Sequence, residues 1–243
     1  MRIRKRTKRK IRKLLLLVLL IGLVSIINYT DSDLLNRIKS YALPSYNLEE
    51  VPEYTNKAYV IINNNNPNFK EEDKKTETFE KYGELDLLGR CTKAYANLSK
   101  ETMPTEEREP IGMIKPTGWK YSKYDFIDGK YLYNRCHLIG FQLAGENANK
   151  KNLITCTRFA NSSTMLEFEN KVANYIKRTN NHVLYRVTPI FKDTELVARG
   201  IQMEAYSVED NGRGVKFNVY VYNVQDGITI DYQTGNNYLS KTK

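Results

Sequence analysis

The chain has 243 residues, 41% hydrophobic and 27% charged, with 13 Gly and 7 Pro. This fits one globular domain with a modest appendage and excludes collagen, coiled coil and wholesale disorder. The formal net charge of +10 has the sign of a nucleic-acid binder, yet Arg2, Arg4, Lys5, Arg6, Lys8, Arg9, Lys10, Arg12 and Lys13 supply nine of the 38 basic residues. Without those nine, 29 basic residues face 28 acidic ones, so any attraction of the body for phosphates must come from local clustering.

Behind the basic run of residues 1–13 lies Leu14 to Ile27, uncharged and interrupted in its apolar character only by Gly22 and Ser25. As a helix it is ~21 Å long, short of a roughly 30 Å hydrocarbon core but extendable through Asn28, Tyr29 and a snorkelling Lys13. No Ala-x-Ala-like triplet follows, so residues 14–30 read as an uncleaved signal anchor in preference to a cleaved signal peptide. The cationic run before the membrane segment places residues 1–13 in the cytoplasm and the rest of the chain outside. The chain is therefore expected at the cell surface, or secreted if the segment is removed. Residues 31–56, with Pro44 and Pro52, read as a linker, and a folded domain is expected over residues 57–243.

Within that domain Ala58 to Ile62 is strand-like and ends in the Asn63–Asn66 tract and Pro67. Residues 84–130 carry Pro104, Pro110, Pro116, Gly112 and Gly118 and predict loops over a sheet, with Trp119 and the nearby tyrosines packing. Tyr131 to Leu138 and Leu153 to Thr157 read as strands. Met165, Phe168, Val172, Ala173 and Ile176 mark one apolar helix face, which Thr179-Asn180-Asn181 terminates. Three extended segments follow, residues 182–191, 196–208 and 215–231, with Asp210-Asn211-Gly212 turning between the second and third. The order of strand, strand, helix, then consecutive strands predicts an α+β fold.

Only two histidines exist to exchange protons near neutral pH. His182, beside two asparagines at a strand start, reads as structural. His137 ends a strand and has Arg135 two residues before it on the same face. Three cysteines, Cys91, Cys136 and Cys156, in an exported chain allow one disulfide and one leftover thiol, in three pairings. The absence of C-x-x-C argues against a zinc site with His137. A Cys136–His137 thiol hydrolase is disfavoured because strand neighbours point to opposite faces.

Asn134-Arg135-Cys136-His137 resembles the Asp-Arg-Gly-His motif of the DNA/RNA non-specific endonucleases, secreted or surface nucleases that include bacterial DNA-entry nucleases. The likeness continues through Gly145-Glu146-Asn147-Ala148-Asn149, Asn152-Leu153-Ile154-Thr155, Phe168-Glu169-Asn170 and Tyr185-Arg186-Val187-Thr188-Pro189, spanning roughly residues 57 to 235. The resemblance implies a His-Me finger (ββα-metal) domain with a central antiparallel sheet. It implies one Mg²⁺, replaceable by Mn²⁺, held by Asn161. It makes His137 the general base, has Glu169 reach the metal through water, and puts Asn152 on the lining of the active centre. Arg135, the motif's second position, is expected to assist at the phosphate, and Arg158, close to Asn161, to join it. On a continuous α-helix Asn161 and Glu169 stand about 80° apart, so they can face one pocket. Two motif positions depart from the pattern, Asn134 for Asp and Cys136 for Gly.

These residue types suit phosphodiester hydrolysis. Imidazole can take a proton from water near neutral pH, and a hard divalent cation neutralises the phosphate and the leaving oxygen. The implied substrates are DNA and RNA, cut without sequence preference to leave a 5′ phosphate. Relatives carrying a Leu-Gly-Arg-Cys segment favour a Cys91–Cys136 disulfide, with Cys136–Cys156 as the alternative. The rival function is a catalytically inactive surface protein that captures nucleic acid on a degenerate nuclease fold. A protein inhibitor as partner is not legible in the sequence.

Overall fold

In the computed structural model, which describes residues 53–241, the β-branched and aromatic runs of the chain form its strands. These are β1 (Tyr59–Ile61), β2 (Phe79–Tyr82), β3 (Ala94–Leu98), β4 (Tyr133–His137), β5 (Leu153–Thr157), β6 (Val183–Ile190), β7 (Gly200–Ser207), β8 (Lys216–Tyr222), β9 (Ile228–Ile230) and β10 (Asn237–Leu239). A short helix α1 (Phe141–Ala144) follows β4. After β5, a π-helical stretch Ala160–Met165 runs directly into α2 (Leu166–Thr179). The basic tail, the apolar segment and most of the expected linker lie outside the described residues. Among the described residues no helix is long and apolar enough to cross a membrane.

The central sheet has six strands in the order β1-β8-β7-β6-β3-β2, and every pairing in it is antiparallel. Antiparallel pairing follows from the sequential order of β6, β7 and β8, which need only short connections. The Asp210-Asn211-Gly212 turn lies between β7 and β8, with Asn211 and Gly212 at positive φ. The apolar stripe of α2 supplies Phe168, Val172, Ala173 and Ile176 to the main core. Phe168 meets the rings of Tyr59 on β1 and Phe217 on β8, each at a centroid distance of 4.9 Å. Asn180, in the left-handed conformation, caps α2 by donating its N–H to the Ile176 carbonyl.

Outside this sheet, β4 and β5 pair as a separate two-stranded ribbon. Asn223, buried just after β8, fastens that ribbon to the sheet: its Oδ1 accepts the Thr157 N–H at 2.8 Å, while its Nδ2 donates to the Ala198 carbonyl at 2.8 Å. Thr157 Oγ1 in turn donates to the Val224 carbonyl at 2.7 Å and accepts the Ala160 N–H at 3.0 Å. One threonine thus ends β5, begins the helix and docks both on the sheet.

Three segments differ from their expected form. Residues 84–130 include β3, an interior strand of the sheet, within the region expected to be loops. Its Ala-Tyr-Ala-Asn-Leu sequence has one strong strand former, Tyr95, among alanines and an asparagine, and it is held mainly by burial and by pairing on both sides. The segment 215–231 is two strands, because buried Asn223 turns the chain out of the sheet. The segment 196–208 pairs only from Gly200 onward.

Candidate active site

A cleft of about 690 Å³ opens where the β4–β5 ribbon meets the start of the long helix. Strand alternation puts Arg135 and His137 on one face of β4, and both line the cleft. His137 is only 6% exposed. Its Nε2 lies 2.8 Å from the Asn147 carbonyl, and Arg108 Nη2 lies 3.4 Å from its Nδ1. A carbonyl only accepts and a guanidinium only donates, so the proton sits on Nε2 and the free lone pair on Nδ1. Burial, the largest influence, and the positive charge of Arg108 hold the imidazole below its ordinary pKa, against the Asn147 hydrogen bond, which raises it. The ring is therefore neutral at physiological pH.

Asn161 and Glu169 line the same cleft from the helix. The π-helical stretch replaces the regular α-helix assumed for these positions, and a wider turn at a functional site is a common use of this geometry. Among the described residues the Asn161 side-chain amide has no hydrogen-bond partner. Glu169 is buried on α2, and burial pushes its carboxyl up to about 7 even though Gln142 and Arg108 pull it down. Its carboxylate forms no ion pair within the described residues. Gly140, immediately beyond β4, makes room for it: a Cβ there would stand 2.6 Å from the Glu169 carboxyl carbon. The Asn161 amide oxygen and the buried Glu169 carboxylate, both lining this cleft, are a donor set suited to a hard divalent cation that keeps most of its water. Among the described residues no cluster of three or more His, Cys, Asp or Glu competes as a metal site.

Other expected residues sit differently. Asn152 is fully buried and does not line the cleft. Its Oδ1 accepts the Ile139 N–H at 2.9 Å and its Nδ2 donates to the Ile139 carbonyl at 3.0 Å, so it clamps the chain that leaves His137. Arg135 spends much of its guanidinium on the loop above it, donating to the Ile114 carbonyl and, at 2.9 Å, to the Gly112 carbonyl, and it stacks on Trp119 at 4.1 Å. Arg158 borders the cleft while pairing with Asp128 at 2.8 Å. His182, away from the cleft, pairs with Glu209 at 2.6 Å.

The Cys91–Cys136 pairing is corrected. The disulfide joins Cys136 to Cys156, with Cα atoms 5.9 Å apart on the adjacent strands β4 and β5. Cys91 is a buried free thiol whose Sγ faces the Leu153 carbonyl at 3.2 Å, and burial pushes that thiol up to about 12.

Arg108, Gly140 and Asn147 were not legible as site residues. Arg108 sits in Thr-Glu-Glu-Arg-Glu-Pro, which reads as a solvated charged loop. The loop is tied to His137 by Asn147, whose carbonyl meets His137 Nε2 and whose Nδ2 donates to the Glu109 carbonyl at 3.0 Å.

A family model for DNA/RNA non-specific endonucleases matches residues 67–209. A deoxyribonuclease of Streptococcus dysgalactiae subsp. equisimilis is 27% identical over 162 residues, which are 65% of this chain and 46% of that protein. The match thus covers a little under half of that relative's length. The crystal structure of NucA from Streptococcus agalactiae with magnesium bound superposes with a TM-score of 0.67 at 27% identity, covering 87% of this chain and 97% of that one. The Sda1 nuclease structure with bound zinc shares the fold at a TM-score of 0.62 and 24% identity, over 80% of this chain and all of that one.

Proposed function

Because the chain belongs to the DNA/RNA non-specific endonuclease family, we propose that it is a divalent-metal-dependent endonuclease of the His-Me finger type, cutting DNA and RNA outside the cell. One observation carries this reading: His137, Arg108, Asn161 and Glu169 converge on a single cleft. The Asn134 and Cys136 departures, which favoured a non-catalytic capture protein, lose force. Cys136 is used in a disulfide, and Asn134 lines the cleft without displacing His137.

His137 Nδ1 takes the proton from the attacking water. The Asn147 carbonyl holds Nε2–H, fixes the ring and stabilises the imidazolium that forms. Arg108 offers donors to the non-bridging phosphate oxygens, where charge accumulates. Asn161 and Glu169 would hold the metal, with Mg²⁺ the ion of the similar NucA structure. When bound, the ion neutralises the phosphate and the leaving oxygen. Arg135 acts chiefly by holding the 112–119 loop over the cleft, with Arg158 at its edge. Contacts to phosphate rather than to base edges make cleavage independent of sequence and weaker at high salt.

Plasmid DNA incubated with the full-length chain tests this reading. Degradation in Mg²⁺ that EDTA stops and that His137→Ala removes supports it. Binding without cleavage in Mg²⁺ or Mn²⁺ would favour capture.

A further inference from the structure

Past Arg135, the wall of the cleft continues onto an aromatic rim that the catalytic groups do not use. The sequence here interleaves Trp119, Tyr121, Tyr124, Phe126 and Tyr131 with Lys120, Lys123 and Lys130. The fold sorts the rings into two sets. Trp119 and Tyr124 pack against Ile127, Leu132, Tyr133 and Ile228, and Phe126 covers Gly227. Trp119 also lines the cleft but is partly buried under Arg135, and Phe126 is exposed without lining it; Tyr121 and Tyr131 both line the cleft and face water, 72% and 38% exposed.

These two tyrosines are locked together. Their rings meet edge to face at 5.2 Å, their hydroxyls share a 2.7 Å hydrogen bond, and the Lys123 ammonium lies 4.7 Å from the Tyr131 ring centre. A backbone bridge between Lys123 and Tyr131 fixes the base of the cluster. Rigid exposed rings beside an ammonium are what sequence-tolerant binding of an unpaired strand needs: a π-face for any base and a cation for its phosphate. A duplex keeps its base faces stacked inside and has none to offer.

We propose that Tyr121, Tyr131 and Lys123 form a base-stacking subsite beside the scissile position, giving the enzyme a preference for single-stranded or locally unpaired nucleic acid. The proposal rests on the nuclease reading and adds to it the form of substrate that the cleft favours.

The full-length chain in mild detergent serves for the test. Binding is read by fluorescence anisotropy in the His137→Ala background with EDTA, using a labelled single-stranded 12-mer with all its bases or with four consecutive abasic positions. The unaltered rim should bind the abasic strand about tenfold more weakly, and Tyr121→Ala with Tyr131→Ala should weaken the intact strand by a similar factor and erase the difference. With His137 restored, the double variant's loss should fall in KM on single strands rather than in kcat, and duplex KM should change little. Equal binding of intact and abasic strands by the unaltered rim overturns the subsite and needs no rim variant to fold. So does a double variant that binds like its parent. A chain that discriminates between the two strands yet cuts neither form in Mg²⁺ or Mn²⁺ keeps the subsite and overturns the nuclease reading instead.

Discussion

At the scale of the residue, the proposed chemistry depends on His137 Nδ1 carrying the lone pair while Nε2–H is held by the Asn147 carbonyl. Burial and Arg108 hold this imidazole below its usual value of about 6.5. The base form therefore persists below that value, and the acid limb that His137 contributes to kcat/KM should have its midpoint below pH 6.5 and fall with unit slope. Removing the guanidinium removes a charge that opposes protonation. In Arg108→Ala the acid limb should accordingly move to higher pH, alongside a rate loss on the order of 10²-fold; a pH–rate profile of both proteins checks this. Glu169 carries the opposite sign. Its folded pKa, about 7, lies above the usual carboxylate range, so the unfolded chain releases this proton first as pH rises. In the metal-free protein its stability contribution is fully present below the unfolded value and is lost progressively up to about pH 7. Glu169→Gln should then be more stable than the parent at pH 8 without metal, by ~2 to 3 kcal/mol, while losing most of its cleavage activity. Thermal melts in EDTA beside activity in Mg²⁺ separate the two effects.

At the scale of the element, the β4–β5 ribbon and the helix after it act as one clamp around the cleft. Asn152 satisfies both backbone groups of Ile139 just after the base. Asn152→Ala leaves them buried and unpaired, at a cost of roughly 1 to 3 kcal/mol. Its activity should fall through disorder of His137, with kcat dropping more than KM rises, whereas an active-centre lining residue would leave the melting temperature unmoved. The disulfide staples the same ribbon, closing a loop of sequence separation 20, and should contribute about 3 kcal/mol. Peptide mapping of the non-reduced chain should recover Cys136 joined to Cys156. Cys91, buried with its thiol pushed up to about 12, should resist alkylation until the protein is denatured.

At the scale of the whole molecule, the six-stranded sheet is the rigid floor and the site is built on its flank from pieces distant in sequence. The parts with strong local signals were legible. The five-residue strand before the helix, the period of Phe168, Val172 and Ile176, and the Asn180 stop all carry their periodicity openly, and His137, Asn161 and Glu169 follow from motif resemblance. The rest depends on tertiary context. Strand β3 is an interior strand because two neighbours pair with it, although its alanines and asparagine predict little. The π-helical stretch at Asn161 has no composition signature. Arg108 is hidden in a Glu-rich loop that becomes part of the site only when Asn147 holds the Glu109 carbonyl beside the base. The Cys91–Cys136 expectation follows from relatives with a Leu-Gly-Arg-Cys segment, whereas in this fold the pairing of β4 with β5 brings Cys136 to Cys156 and leaves Cys91 a buried thiol. Net charge is also a poor guide: the body is nearly neutral, and Arg108, Arg135 and Arg158 gather around one cleft.

The most direct test of His137 as general base in a metal-dependent nuclease is chemical rescue of His137→Gly, measured as cleavage of a labelled oligonucleotide in Mg²⁺ with increasing imidazole. The structure predicts a near-inactive variant whose rate rises with the concentration of neutral imidazole and vanishes in EDTA. A variant that keeps the parent's rate without imidazole would contradict the assignment.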